Sequence, residues 1–318
     1  MMSGKDKNFF WGLLSKEEME RMLGLAAAHG YRDAMVRVLE EKEYLVRYAL
    51  DEGRADFKYL LPITLKSRVL DIGCGLGSVS ISIARNAGFV CSIDPCHASL
   101  EFVALRAHQE NIRNIGIMQC EVLDHGRLPF RSSSFDVVIL NGVLEWIGSS
   151  LTEPPAEICQ FKALKEIFRV LKPGGSLYIG IENRYGYPLF LGQRDGHTKL
   201  RFVTLLPRKI ANLYSILVRR IPFRNYTYSY CGYSRLLENV GYSSIRFFCP
   251  LASYQTLEYM LPLDRRDIFR YFLKRIAVYH KGGSLKARCR SCLAMFLSFC
   301  GLYKYLVPSF GIVARVEK

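Results

Sequence analysis

The chain of 318 residues is 50% hydrophobic and 23% charged, which excludes intrinsic disorder and predicts one large domain or two small ones. Its net charge of +15 is unevenly distributed along the sequence. Residues 1–182 carry 21 Lys and Arg against 23 Asp and Glu, whereas residues 183–318 carry 23 against 6. The basic C-terminal part therefore indicates an anionic partner or an anionic surface.

The ten cysteines are scattered through apolar segments, and the N-terminal residues lack the apolar stretch of a signal peptide. We therefore expect a cytoplasmic protein with reduced thiols. The uncharged apolar run 291–303 has 13 residues, whereas a membrane span needs roughly 18 or more. Cys289 and Cys292 have the spacing of zinc ligands, but no second pair follows them, so we expect no metal site.

The first sixty residues predict an N-terminal helical cap, residues 1–62. Ser15 and Glu18 have the spacing of a capping box, and apolar residues then recur at helical intervals up to Pro62. From Arg68 onward, short β-rich runs alternate with helical stretches, which predicts a parallel sheet with right-handed crossovers. The alternation stops after Asn183 and returns in two later strands, so the sheet is expected to carry two insertions, both of them basic.

A glycine-rich turn, RVLDIGCGLG at residues 68–77, is the clearest chemical signal. A buried strand runs into Asp71, and Gly73, Gly75 and Gly77 then turn the chain into a helix. Glycines there leave room for a ligand against the backbone and permit positive φ. The third glycine falls one place too early for a dinucleotide fingerprint, which disfavours pyrophosphate binding. The loop favours a ligand with an amino-acid end, whose ammonium group Asp71 can hold.

The tips of the next two predicted strands supply further candidate ligands. Asp94 ends the second strand, where a carboxylate can accept both hydroxyls of a ribose. Glu121 and Val122 follow the third strand, where a polar group and a backbone N–H can meet an adenine ring. Asp124 is the alternative to Glu121 for this role.

These motifs resemble the class I S-adenosylmethionine-dependent methyltransferases that act on small molecules, of the methyltransferase type 11 kind. The matching stretches are DIGCGLG (71–77), the Asp94 strand tip, residues 127–147 and residues 166–184, so the resemblance covers about 66–184 and the last strand pair. It implies S-adenosylmethionine as cofactor, with Asn141 and the residues up to Glu145 lining the methyl-transfer pocket. Trp146 stands where relatives often have a histidine, so no base is expected at that position.

The resemblance implies an α/β, Rossmann-like, seven-stranded, mostly parallel sheet with an antiparallel last strand, N-terminal helices and two basic insertions. The expected parts are the S-adenosylmethionine-binding core (63–184), a substrate-covering insertion (185–232), a core helix and strand (233–254), a helical insertion (255–307) and the last core strand (308–318). Aminopropyl transfer lacks its paired-acid signature here, and the glycine spacing disfavours an NAD-binding unit. A non-catalytic partner module with this fold remains an alternative.

Two residues are candidate general bases for the methyl acceptor. His197 follows Asp195 in the first insertion, and a histidine flanked by an acid is a reasonable base. Glu145, after the fourth strand, is the other candidate, and transfer without a base is a third alternative. Similar insertions cover the substrate in some methyltransferases of polysaccharide gene clusters, and secondary-metabolite clusters are a further context for such enzymes.

The two insertions, which interleave arginines with tyrosines, indicate the chemical class of the methyl acceptor. Such a surface suits phosphate groups and sugar or base faces. We therefore expect O- or N-methylation of a small-molecule or glycan-type acceptor, anionic through a phosphate or linked to a lipid. RNA is the less favoured alternative, since no RNA-binding module is present. The apolar segment 292–303 and its flanking cations, Lys281 to Arg290 and Lys304, could lie at the inner face of a membrane. The other interpretation is that this segment packs on the domain.

Overall fold

A computed structural model describes residues 14–122, 127–149, 154–279 and 296–317. Within these residues, eight strands form one sheet in the order β3-β2-β1-β4-β5-β8-β6-β7. Strands β1 to β5 pair in parallel, whereas β8 runs antiparallel to β5 and to β6. The strands are β1 Arg68–Ile72, β2 Phe89–Asp94, β3 Ile115–Gln119, β4 Phe135–Asn141, β5 Leu171–Glu182, β6 Ser243–Ala252, β7 Leu257–Pro262 and β8 Ser309–Arg315.

The expected α/β architecture with an antiparallel last strand is confirmed, with eight strands instead of seven. The additional strand is β7, which pairs antiparallel with β6 at the edge of the sheet. It lies in segment 255–307, which was expected to be helical or irregular. Only Leu257 and Leu261 of this strand are buried, as is common for a strand with a single neighbour. The six-residue strand therefore has weak hydrophobic periodicity in the sequence.

Eleven α-helices lie wholly within the described residues. The capping box at α1 is present, since Ser15 Oγ accepts from the Glu18 amide at 3.1 Å and Glu18 Oε2 accepts from the Ser15 amide at 2.7 Å. The α-helices are α1 Lys16–His29, α2 Tyr31–Val38, α3 Glu43–Leu50, α4 Ser78–Ala84, α5 His97–Gln109, α6 Ala156–Val170, α7 Tyr187–Phe190, α8 Arg208–Arg219, α9 Tyr230–Val240, α10 Arg266–Tyr279 and α11 Tyr303–Leu306. Segments of 3₁₀-helix lie at Glu40–Lys42, Glu52–Leu60, Leu144–Trp146 and Val203–Leu205.

The central strands are buried on both faces. Leu164 of α6 and Leu237 of α9 belong to the apolar cluster on one face, and Phe57 and Ile83 belong to the cluster on the other. The N-terminal helices form a third cluster that includes Phe102 of α5. This third cluster holds the helical cap beside the end of the sheet where the glycine turn lies.

The carboxyl ends of β1, β2, β4 and β5 meet at one edge of the parallel sheet. In open α/β sheets, ligands bind in the crevice outside these ends, where the strand order reverses. Here the reversal falls between β1 and β4, which are neighbours although β2 and β3 separate them in the chain. None of the helices in the described ranges has the length and apolar character needed to cross a membrane.

Candidate active site

The glycine turn connects β1 to α4 with three residues in the left-handed region. Gly73, Gly75 and Gly77 have φ of +71°, +52° and +79°, a conformation that side chains rarely tolerate. Gly73 also has no room for a side chain, since a Cβ there would lie 2.5 Å from Val143 Cγ2. Val143, two residues after the end of β4, thus packs directly against the turn. This contact brings the two segments of the expected cofactor site together.

Asp71 lies buried beneath this turn. Its Oδ2 accepts a hydrogen bond from Ser80 Oγ at 2.5 Å, and Ser80 in turn accepts from Ser92 Oγ at 2.8 Å. Burial raises the pKa of Asp71 to about 7, against the opposing effects of Ser80 and Arg54. A cationic partner stabilises the charged form of such a buried carboxylate, which suits the predicted contact with an ammonium group.

Asp94 holds the same turn from the tip of β2. Its Oδ2 accepts from the Gly75 amide and its Oδ1 from the Cys96 amide, both at 2.9 Å. Burial raises its pKa, although both amides oppose the shift. Each oxygen keeps a further acceptor site, so Asp94 can order the turn and still accept two ribose hydroxyls.

The third strand tip lies further out. β3 ends at Gln119, opposite Asp94, and Glu121 is exposed whereas Val122 is buried. Asp124, the alternative to Glu121, lies outside the described residues. An adenine contact by Glu121 and the Val122 amide stays a prediction.

Asn141 ends β4 and is buried beside the turn. Both its amide atoms, Oδ1 and Nδ2, lack a hydrogen-bond partner. A Cβ on Gly180 of the neighbouring β5 would overlap Asn141 Oδ1, so glycine is required there. Asn141 lines a narrow cleft together with Asp71, Gly73 and Gly75. A buried amide without partners is costly, and a polar ligand in the cleft would satisfy it.

A larger cavity of about 400 Å³ adjoins this cleft, and Tyr48 of α3 lines both. Five separate segments of the chain contribute to its wall. The lining residues are Tyr44, Leu45, Tyr48, Gly142, Glu145, Trp146, Glu182, Gly196, His197, Lys199, Tyr254 and Gln255. Both predicted candidate bases, Glu145 and His197, are therefore brought to one cavity.

Glu145, Glu182 and His197 form a titratable cluster in this cavity. One ligand atom from each lies within 4.8 Å of the others, so the three could hold a metal ion, a capacity the sequence did not indicate. Glu145 is 1% exposed, and Oε2 of each glutamate has no hydrogen-bond partner. Burial, reinforced by the charge of Glu182, raises the pKa of Glu145 to about 8.

His197 is oriented by the aspartate two residues before it. Its Nδ1 lies 3.5 Å from Asp195 Oδ1, and its ring stands edge-on to Trp146 with centroids 4.9 Å apart. Although burial opposes the shift, the hydrogen bond to Asp195 and the charges of Glu182 and Glu145 raise the pKa of His197 to about 9. A histidine from the first insertion therefore lies against the tryptophan that occupies the usual histidine position.

Sequence reasoning did not identify Tyr48, Arg54 or Tyr254 as residues of the site. Tyr254 Oη donates to Glu182 Oε1 at 2.7 Å, although Tyr254 follows β6 far along the chain. Arg54 is buried and donates to Ser78 Oγ at 2.8 Å and to the Tyr48 carbonyl at 3.1 Å. The one available signal was a lone arginine and two tyrosines among apolar residues, which is too common to identify a site.

Four arginines, three within the first insertion and one just before it, bind the backbone of that insertion. Arg184, Arg194, Arg208 and Arg219 donate to carbonyls at Thr204 and Leu206, Lys199, Asn225 and Thr198. Lys199 is the single Lys or Arg among the described residues that line the cavity. The phosphate-binding role expected of these arginines is therefore unsupported by their contacts and stays a prediction.

Residues 70–179 match the family model described as a methyltransferase domain. A 27-O-demethylrifamycin SV methyltransferase of Amycolatopsis mediterranei is 30% identical over 163 residues, which cover 51% of this chain and 53% of the relative. A ubiquinone biosynthesis O-methyltransferase of Acinetobacter baumannii is 32% identical over 117 residues, 37% of this chain and 44% of the relative. The chain thus spans about half the length of these curated relatives or less.

Solved structures share a similar course of the chain at low sequence identity. A SAM-dependent methyltransferase from Thermotoga maritima aligns with 89% of this chain and 98% of its own, at 16% identity and a TM-score of 0.48.

Proposed function

We propose that this chain, whose residues 70–179 belong to the class I S-adenosylmethionine-dependent methyltransferases, transfers a methyl group to a hydroxyl of a small-molecule acceptor. The observation that carries the proposal is the Glu145, Glu182 and His197 cluster, which faces a 400 Å³ cavity next to the glycine turn. The names of two relatives, both O-methyltransferases, support a hydroxyl as the acceptor.

The residues of the cleft and of the tips of β2 and β3 fit S-adenosylmethionine. Asp71 would hold its ammonium group, Asp94 its ribose hydroxyls, and Asn141 would gain the partners that its two amide atoms lack. Glu121 and Val122 would contact the adenine. The cofactor supplies a methyl group on a positively charged sulfur, which is a good leaving group, so alignment is the protein's main task.

The acceptor side has to orient a hydroxyl and take its proton. We assign proton removal to Glu145, whose pKa of about 8 lies close enough to neutrality for a general base. As the new oxygen–carbon bond forms and the sulfur–carbon bond breaks, the hydroxyl proton passes to the Glu145 carboxylate. His197 is protonated below about pH 9, so near neutral pH it orients the cluster and offsets the charge of Glu182. Above that pH it becomes a second base.

The residues that line the cavity favour a small ring-containing acceptor over RNA. Tyr44, Tyr48, Trp146 and Tyr254 offer aromatic faces, and Lys199 supplies a positive charge. This lining suits an aromatic or sugar ring with hydroxyl groups. Lys199 Nζ donates to the Gly196 carbonyl at 2.6 Å, and its remaining N–H groups could contact a single phosphate on the ring. RNA is disfavoured, because the four arginines bound to backbone carbonyls are not displayed as a track for a phosphate chain.

The test uses S-adenosylmethionine with a deuterated methyl group. Incubation with a library of hydroxylated aromatic and sugar compounds, followed by mass spectrometry, should yield a deuterated methyl ether. Glu145→Gln should lose most of this product. Tyr242→Phe, which removes a buried hydroxyl far from the cavity, should keep it. Label found only in RNA, or in no acceptor while the cofactor binds, would contradict the proposal.

A further inference from the structure

Helix α8 is an amphipathic helix whose apolar side faces away from the protein. Ile210, Leu213 and Leu217 are 53%, 57% and 64% exposed. Ala211 and Ser215 are the buried residues of the helix. In a surface helix of a globular protein the large apolar residues normally face the core, so this arrangement is inverted and leaves a hydrophobic face without a partner among the described residues.

The spacing places these residues on one side. Positions 210, 213 and 217 follow the i, i+3, i+7 pattern of a single helix face. The opposite side carries Ala211, which packs in a small cluster with Leu200, Val203 and Phe223. The outward leucines are therefore not required for this packing, and their exposure needs another explanation.

Further exposed apolar residues lie elsewhere in the same insertion. Phe190 and Leu191 at the end of α7, Phe202, and Ile221 after α8 are all 46% exposed or more. Helices α7 and α8 both pack against the short segment Val203–Leu205, so these residues belong to the same insertion. A patch of this kind on a protein surface commonly marks an interaction site.

The part of the insertion that contains α8 is strongly basic in sequence. Residues 196–237 contain eight Lys and Arg and no Asp or Glu. Lys209, Arg219 and Arg220 are exposed on or next to α8. Basic residues beside an exposed apolar helix face are the combination that binds an anionic lipid surface, where the apolar residues enter the interface and the cations contact headgroups.

From these observations we infer that α8 docks on the surface of an anionic lipid bilayer and lies in its plane. This surface differs from segment 292–303, most of whose flanking cations lie outside the described residues. The inference also concerns the proposed site, because Arg219 donates to the Thr198 carbonyl in the loop that carries His197 and Lys199. Docking would therefore bring the wall of the acceptor cavity to the bilayer.

The experiment is co-sedimentation of the full chain with vesicles of phosphatidylserine and phosphatidylcholine, and with vesicles of phosphatidylcholine alone. Binding is expected to the anionic vesicles and to weaken with salt. Leu213→Gln with Leu217→Gln should reduce it at least about tenfold, because two leucines no longer enter the interface. Lys209→Gln with Arg220→Gln should reduce it roughly thirtyfold on anionic vesicles.

Matched controls carry equal changes at exposed residues elsewhere. Val36→Gln with Leu65→Gln, and Lys66→Gln with Arg131→Gln, alter exposed apolar and basic residues outside the insertion and should bind like the unchanged chain. S-adenosylhomocysteine affinity, measured on the same samples, reports on the proposed function separately and should not change in any variant.

Three outcomes would overturn the inference. The first is no binding to anionic vesicles at low salt. The second is equal binding by the α8 variants and their controls. The third is a stable dimer that Leu213→Gln with Leu217→Gln converts to a monomer, which would assign the face to a second copy of the chain. If the first outcome is accompanied by retention on RNA, the cations are assigned to a nucleic acid.

Discussion

The cofactor cleft and the acceptor cavity lie side by side but are built in different ways. Most residues that line the cleft come from the end of β1, the glycine turn and the start of α4 (residues 71–79), and the others are Tyr48, Ala49, Arg54 and Asn141. The cavity draws on α3, the ends of β4 and β5, the first insertion and the β6–β7 connection. A site made from one local motif is fixed by backbone geometry, whereas a site assembled from distant segments depends on tertiary packing.

The largest expected effect is the loss of ligand affinity when the cleft alone is altered. Gly75→Val forces a branched residue into a turn with φ of +52° and should weaken S-adenosylhomocysteine binding at least about a hundredfold. Calorimetry measures the affinity, and circular dichroism checks that the variant is folded. The control is Gly24→Val in α1, where a Cβ would meet nothing within 4 Å. A folded Gly75→Val protein with normal affinity would place the ligand elsewhere.

The next largest effect concerns the cavity and its pH dependence. Glu145 must lose its proton to act as a base, so turnover should rise as the pH passes about 8. Glu145→Gln should lower turnover about a hundredfold and remove this rise. A rise that persists in Glu145→Gln near pH 9 would move the role to His197.

The same substitution should stabilise the protein. Because burial raises the pKa of Glu145 above its unfolded value, the folded state binds this proton more tightly, and stability is lost as the pH rises from about 4.5 toward about 8. Glutamine at this position avoids the loss and should increase the free energy of unfolding by ~1–2 kcal/mol near pH 8. Thermal unfolding at pH 5 and pH 8 measures this, and a melting temperature lowered at pH 8 would contradict it.

The smallest effect tests how the cavity is supported. Tyr254→Phe removes the hydrogen bond to Glu182 Oε1, and we expect turnover to fall about threefold to tenfold. Cofactor affinity should not change, because Tyr254 does not line the cleft. Tyr242→Phe loses a hydroxyl bonded to the Leu164 carbonyl in the core and serves as the control. Equal effects of the two variants on turnover would mean that Tyr254 acts through stability alone.

The difference between the two sites also explains what could be predicted from the sequence. Asp71, the glycines and Asp94 follow from a local strand–turn–helix pattern. In the structure Asp71, Gly73 and Gly75 line the cleft, and Asp94 accepts from the Gly75 amide of the turn. Tyr48, Arg54 and Tyr254 reach the site through tertiary packing, and no pattern in a single sequence records that. His197 was identified as a candidate from the acid beside it, but its proximity to Glu145 was not foreseen.

Two structural elements were missed for related reasons. Strand β7 lies at the sheet edge, where one neighbour leaves only Leu257 and Leu261 buried. Helix α8 lies in the first insertion, for which no helix was predicted, although Ile210, Leu213 and Leu217 have helical spacing. These apolar residues face away from the core.

The central claim is that the cofactor and the acceptor are held by separate sets of residues, apart from Tyr48, which lines both the cleft and the cavity. Calorimetric titration of S-adenosylhomocysteine into Asp94→Ala, Asp136→Ala and Glu145→Gln tests it most directly. Asp136 is a matched control, since it accepts from the Arg68 amide as Asp94 accepts from Gly75, but it lies at the other end of the sheet. We predict at least about tenfold weaker binding for Asp94→Ala, with the other two within about twofold of the unchanged chain. Undiminished binding by Asp94→Ala, or a comparable loss in Glu145→Gln, would contradict the account.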